Sequence, residues 1–221
     1  MFEMITRLLD FFIHLDDYLP GLVETYGNLV YGILFVIIFC ETGLVITPFL
    51  PGDSLLFVTG TIAGMGILNI GILLGVLYIA AILGDSVNYF IGRYVGHKII
   101  DMNLPMIRKE HLDKTHLYFE KYGSITIVIA RFAPFVRTFA PFLAGMGKMQ
   151  YRTFLAYNIS GGILWVSIFL LAGYFLGGIP IVKENMSLVA LAIILISLIA
   201  VGSVLIEICR FFGSCVLKKV R

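Results

Sequence analysis

Hydrophobic positions in this chain gather into long, nearly unbroken blocks rather than alternating or forming one-faced stripes. Four blocks, at 29–47, 67–91, 154–177 and 187–208, are each close to the ~20 residues a helix needs to cross a bilayer. They predict four full transmembrane helices. Two further apolar stretches, 48–66 and 124–147, are punctuated differently. The first holds Pro48, Pro51, Gly52, Gly60, Gly64 and Gly66, and the second holds Pro134 and Pro141. That density of helix breakers suits a re-entrant hairpin that enters the membrane and returns to its own side.

Outside these blocks the spacing changes. Phe2, Ile5, Leu8, Leu9, Phe12, Leu15 and Leu19 recur at helical intervals beside Asp10, Asp16 and Asp17, ahead of Pro20-Gly21. This predicts an amphipathic interfacial helix within residues 1–26. Leu112, His116, Phe119 and Tyr122 predict one face of a surface helix in the polar stretch 92–123. A single transmembrane domain then covers 27–209, with a basic tail at 210–221.

Composition supports a membrane setting. Hydrophobic residues make up 59% and charged residues 14%, against about 45–50% and about 25% in average soluble chains. The mean hydropathy of +0.98 agrees. The reading is an all-α polytopic membrane protein. The net charge of +2 and the lack of a basic run with interleaved aromatics give no sign of a nucleic-acid partner. Cys40, Cys209 and Cys215 form neither a disulfide framework nor a metal-ligand spacing, so no metal or cofactor is expected.

Charge placement suggests orientation. Six Lys and Arg fall between Arg93 and Lys121, followed by Lys148 and Arg152, and Arg210, Lys218, Lys219 and Arg221 lie in the tail. Lys183 stands alone on the loop between the last two blocks. The positive-inside rule puts the central loop and both termini in the cytoplasm.

The chain also repeats itself weakly. Ala63-Gly64-Met65-Gly66 recurs as Ala144-Gly145-Met146-Gly147, each copy closing a proline-broken segment ahead of a full span. With one hairpin entering from each side, this is the pattern of an inverted repeat whose broken segments meet near the midplane.

Glu41, Asp53, Arg131 and Arg137 fall inside apolar blocks. A charge at a helix centre costs about 2.5–3.5 kcal/mol on insertion scales, and such residues usually mark a site. Two carboxylates and two guanidiniums sum to zero, so mutual ion pairing is the bland alternative. Arg131 and Arg137, with Pro134 between them, suit a bidentate grip on phosphate. Glu41 and Asp53 suit proton coupling or gating, since a buried carboxylate beside an arginine is poised between two charge states. Asp85, near the end of the 67–91 block, Arg93, Pro134 and Pro141 are accessory candidates, with solvation of Asp85 at the span end an even alternative.

At this point the chain resembles the DedA family of membrane proteins, related to the VTT-domain lipid scramblases. The resemblance rests on Glu41 with FLPGDSLL at 49–56, YFIGRYVG at 89–96 and FEKYGSITIVIARFAPFVRTFAPFLAGMGKM at 119–149. It implies two opposed re-entrant hairpins, a bacterial inner membrane and a role in membrane homeostasis. It also implies movement of lipid phosphates such as undecaprenyl phosphate, with proton dependence, and places Glu41, Asp53, Arg131 and Arg137 on the family's important charged positions. Membrane lipids, a lipid-phosphate substrate and protons are the expected partners, and a homo-oligomer is left open.

Two other classes compete with a flippase. An intramembrane lipid-modifying enzyme or protease needs a nucleophile and a base. Yet His14, His97, His111 and His116 all lie outside the apolar blocks, and Ile82 and Leu50 stand where a G-x-G-D motif needs glycine. The expectation is therefore that the chain is not an enzyme. A non-transporting membrane scaffold would tolerate loss of the buried charges if folding survived.

Overall fold

A computed structural model of the protein describes residues 21, 26–44, 52–101, 125–132, 134–177 and 179. Six helices are found among them: α1 (Leu29–Gly43), α2 (Gly52–Gly64), α3 (Ile70–Asp101), α4 (Ile125–Ala130), α5 (Pro134–Met146) and α6 (Tyr151–Leu176). The expected N-terminal amphipathic helix, the surface helix near 112–122, the 187–208 span and the basic tail lie outside the described residues.

Relative directions follow from paired contacts. Tyr31 accepts from the Asn69 amide and Gly43 lies against Gly84, so α1 and α3 run the same way. Tyr78 bonds Ser167 while Asn158 donates to the Ile82 carbonyl, so α3 and α6 are antiparallel. Gly173 packs on Phe57 and Gly177 on Thr61, making α2 parallel to α6. Asn88 reaches Thr138 and Gly92 packs on Phe142, making α5 parallel to α3. It follows that α1 and α2 run in opposite directions, with the end of α1 beside the start of α2.

This changes the first half of the predicted arrangement. Residues 29–47 were expected to span alone, with a separate hairpin at 48–66. Instead α1 has 15 residues, about 22 Å of helix, and its direction is reversed by α2, 13 residues long. The predicted 67–91 span starts at Ile70 and continues as one helix to Asp101, absorbing the start of the stretch taken as polar loop. The 154–177 span is matched by α6 with a slightly earlier start. In the second half, the chain turns at Arg131 and Phe132, before Pro134. Pro134 is the first residue of α5, where its missing N–H costs nothing, and Pro141 sits inside that helix without ending it.

The two halves cross over. The short helix of each half packs along the long helix of the other, α2 on α6 and α5 on α3. Glycine permits both approaches. A Cβ on Gly60 or Gly173 would overlap a carbonyl of the facing helix, at Leu170 and Phe57 respectively, and Gly92 and Gly145 meet Phe142 and Tyr89 in the same way. A shift of 81 residues superposes Ala63-Gly64-Met65-Gly66 on Ala144-Gly145-Met146-Gly147, and Gly92 and Gly96 on Gly173 and Gly177. The short helices are both 13 residues long.

Burial separates interior from perimeter. Every residue of α2 from Gly52 to Ala63 is buried, the mark of a helix enclosed on all sides. By contrast α3 and α6 bury one face and turn Ile72, Ile79, Leu83, Ile163, Ile168 and Phe175 outward. An apolar perimeter around an interior that also encloses charged residues, and two helices long and apolar enough to cross a bilayer, fit an all-α membrane protein.

Candidate functional site

The helix ends created by the reversals converge on the middle of α3 and α6. Glu41 lies in the last turn of α1, and Gly52 and Asp53 open α2. Arg131 follows α4, and Arg137 sits in the first turn of α5. All four charged residues predicted as the site are buried here, together with Asp85.

They form two ion-pair sets. In the first, Arg137 uses both terminal nitrogens: Nη1 donates to Asp53 Oδ1 at 2.7 Å and Nη2 to Glu41 Oε1. Glu41 Oε1 also accepts the Gly52 amide at 3.0 Å. A carboxylate thereby meets the positive end of α2. Glycine at 52 is required by that approach, because a Cβ would occupy the space of the Glu41 carboxylate. In the second set, Arg131 Nη2 donates to Asp85 Oδ2 and to Asn158 Oδ1, both at 2.5 Å, and lies 3.3 Å from the Ala81 carbonyl.

Two site expectations change. Asp85 is not solvated at a span end: because α3 runs on to Asp101, it sits in mid-helix, buried and paired with Arg131. Arg93 stays apart from the cluster. It is exposed and donates to the Tyr89 hydroxyl at 3.2 Å. Pro134 begins α5 one turn before Arg137, and Pro141, one turn after it, removes the N–H that would have bonded the Arg137 carbonyl.

Three uncharged residues escaped the sequence reading. Trp165 lies between the sets: its Nε1–H donates to Asp53 Oδ1 at 2.8 Å. Its ring centroid is 5.1 Å from the Arg137 guanidinium carbon and 6.0 Å from that of Arg131. Asn158 joins Arg131 to the α3 backbone through its donation to the Ile82 carbonyl at 3.0 Å. Asn88 donates to the carbonyls of Thr42 at 3.1 Å and Thr138 at 2.7 Å, tying α1 and α5 to α3. A faint signal existed on α6, where Asn158, Gly161, Gly162 and Trp165 share one helical face.

The cluster holds three carboxylates and two guanidiniums. The Nε–H groups of Arg131 and Arg137 and the Oε2 atom of Glu41 are buried without a hydrogen-bond partner. No group of three or more metal-ligating side chains occurs among the described residues. Groups of this chemistry are N–H donors that an anion can accept from and carboxylate oxygens that a proton can occupy.

Comparison with known proteins gives the family. The VTT domain matches residues 50–175. Protein DedA of Escherichia coli strain K12 is 53% identical over 200 residues, 89% of this chain and 91% of that protein. Inner membrane protein YghB of the same organism is 34% identical over 178 residues, covering 79% and 81%. Inner membrane protein YqjA is 37% identical over 164 residues, covering 72% and 74%. No solved structure matches the chain. These similarities place the chain, with its buried charges, in the DedA family of VTT-domain membrane proteins.

Proposed function

We propose that this protein moves lipid-phosphate head groups across the membrane, with Arg131 and Arg137 binding phosphate and Glu41 and Asp53 coupling the movement to protons. The observation that carries this reading is the pair of buried arginine Nε–H groups without acceptors. An unsatisfied buried donor costs about 1–3 kcal/mol, which a phosphate oxygen would recover. In the structure the carboxylates of Glu41 and Asp53 hold Arg137. A proton taken at Glu41 Oε2 would weaken that hold and release guanidinium donors to the incoming phosphate. Loss of the proton would restore the carboxylate as competitor and expel the head group. Lipid tails would remain in the bilayer against the apolar outer faces of α3 and α6.

In this reading α1–α2 and α4–α5 are two re-entrant hairpins entering from opposite sides. The short helices support it: 13 residues make about 20 Å of helix, against a hydrocarbon core of about 30 Å. The basic end, carrying Arg93, Lys148 and Arg152, is then cytoplasmic. The lipid phosphate we favour is undecaprenyl phosphate, in support of envelope homeostasis.

A non-transporting scaffold is the second reading, favoured by the occupation of both Arg137 terminal nitrogens by carboxylates. The test is transfer of labelled undecaprenyl phosphate in proteoliposomes containing only this protein, with binding and thermal stability measured alongside. Transport predicts movement well above protein-free vesicles. It also predicts that Arg137→Lys remains folded yet binds lipid phosphate roughly 30- to 150-fold more weakly. Vesicles no faster than the protein-free control would overturn the transport reading, and equal loss of stability and binding in the lysine variant would favour the scaffold.

A further inference from the structure

Trp165 is the only side chain that touches both ion-pair sets among the contacts described above. It is buried and belongs to α6, while the charges it meets come from α2, from the turn after α4 and from α5. Its two kinds of contact act on different partners. The indole N–H fixes one oxygen of Asp53, the oxygen that also receives Arg137 Nη1. The ring face attracts both guanidiniums, an interaction that strengthens when the groups are desolvated. Arg137, held by Glu41 and Asp53, and Arg131, held by Asp85, therefore both lie against one ring.

We infer that Trp165 is a positioning residue that couples the two sets, so that a change of charge in one is transmitted to the arginine of the other. The charged groups concerned are Glu41 on α1, Asp53 on α2, Asp85 on α3, Arg131 after α4 and Arg137 on α5. The coupling deepens the transport reading but does not depend on it, because it is a property of the protein without lipid.

The chain has a single tryptophan, so its emission reports this position alone. The experiment is a titration from about pH 5 to about pH 9 on the full chain in lipid nanodiscs. The wild-type emission should pass through a transition that Glu41→Gln abolishes. Asp85→Asn, in the other set, should displace its midpoint by about half a pH unit or more. The same displacement is then read from the pH dependence of the unfolding temperature by circular dichroism, with Trp or Phe at 165. Trp165→Phe keeps an aromatic ring and removes the N–H, and should at least halve the displacement. A flat emission titration, a midpoint indifferent to Asp85→Asn, or a displacement reduced by less than half in Trp165→Phe would each overturn the coupling. A displacement present in a protein that moves no lipid phosphate would keep the coupling and reject transport instead.

Discussion

The half of the molecule formed by α1–α3 and the half formed by α4–α6 share a frame and differ in charge. Each has a 13-residue helix, a turn after Ala-Gly-Met-Gly and a long helix with glycines four apart, in matching positions 81 residues apart. The first half supplies Glu41, Asp53 and Asp85; the second supplies Arg131 and Arg137. At the matching positions stand Tyr122, Pro134, Val166, Leu50 and Leu56, none of them charged. The frame is thus duplicated while the chemistry is divided into an acidic and a basic half. Neither half can neutralise its own buried charge. The crossed packing of α2 on α6 and α5 on α3 brings the charges together.

The largest expected effect comes from breaking that complementarity. Arg137→Gln leaves Glu41 and Asp53 buried without their cation, and should cost about 3–5 kcal/mol, seen as a collapse of thermal stability in detergent. Adding Glu41→Gln and Asp53→Asn should recover much of that loss, because the triple variant contains no stranded charge in the first set. If the triple variant is no more stable than Arg137→Gln, charge balance is not what joins the halves.

The shared frame can be tested next. Gly173→Val and Gly145→Val each push a side chain onto a carbonyl of the facing helix, at Phe57 and Tyr89. Each should lower stability by at least about 1–3 kcal/mol, and to a similar degree if the halves are mechanically equivalent. Gly75→Val, with nothing within 4 Å, is the control and should leave the unfolding temperature unchanged. A loss confined to one seam would make the resemblance between the halves superficial.

Smaller effects should separate the two arginines. Arg137 divides its fork between two carboxylates, whereas the Asp85 and Asn158 contacts of Arg131 come from one nitrogen. A lysine reproduces a point contact better than a fork. Arg137→Lys should therefore cost about 1 kcal/mol of stability, well below its loss of phosphate binding, and Arg131→Lys less than about 0.5 kcal/mol, in parallel thermal denaturations. Last, the turns after the two short helices differ by one residue. Gly66 takes a positive φ of 81° in the first, while Lys148 takes φ 57° in the second. Lys148→Gly should relieve roughly 1 kcal/mol of left-handed strain, detectable as a modest rise in unfolding temperature.

The buried charges were legible in the sequence because they interrupt apolar blocks. Their pairing was not, since it depends on which helix ends meet. Asp85 looked peripheral because the apolar block weakens near Ile91, while the helix itself continues to Asp101. The 29–47 block looked like a span because hydropathy measures length of apolar sequence and says nothing of the direction in which the next helix runs. Trp165, Asn88 and Asn158 carry no charge, so beyond the rarity of tryptophan and the shared face of Asn158 and Trp165 they did not stand out against their surroundings. The glycine contacts were readable only in part: the Ala-Gly-Met-Gly repeat stood out, whereas Gly92 and Gly173 gain their meaning from the carbonyls they face.

The crossed packing also has a consequence for biosynthesis. The helix that encloses α2 is α6, and about a hundred residues separate them in the chain. At translation rates of ~5–20 residues per second, α2 with Asp53 would wait on the order of 5–20 s for its partner to emerge. During that interval its glycine-rich surface and its carboxylate have no finished core to enter. Maturation of this fold should therefore be sensitive to the supply of membrane insertase or chaperone, and to slowing of elongation between the two halves, even when the completed protein is stable.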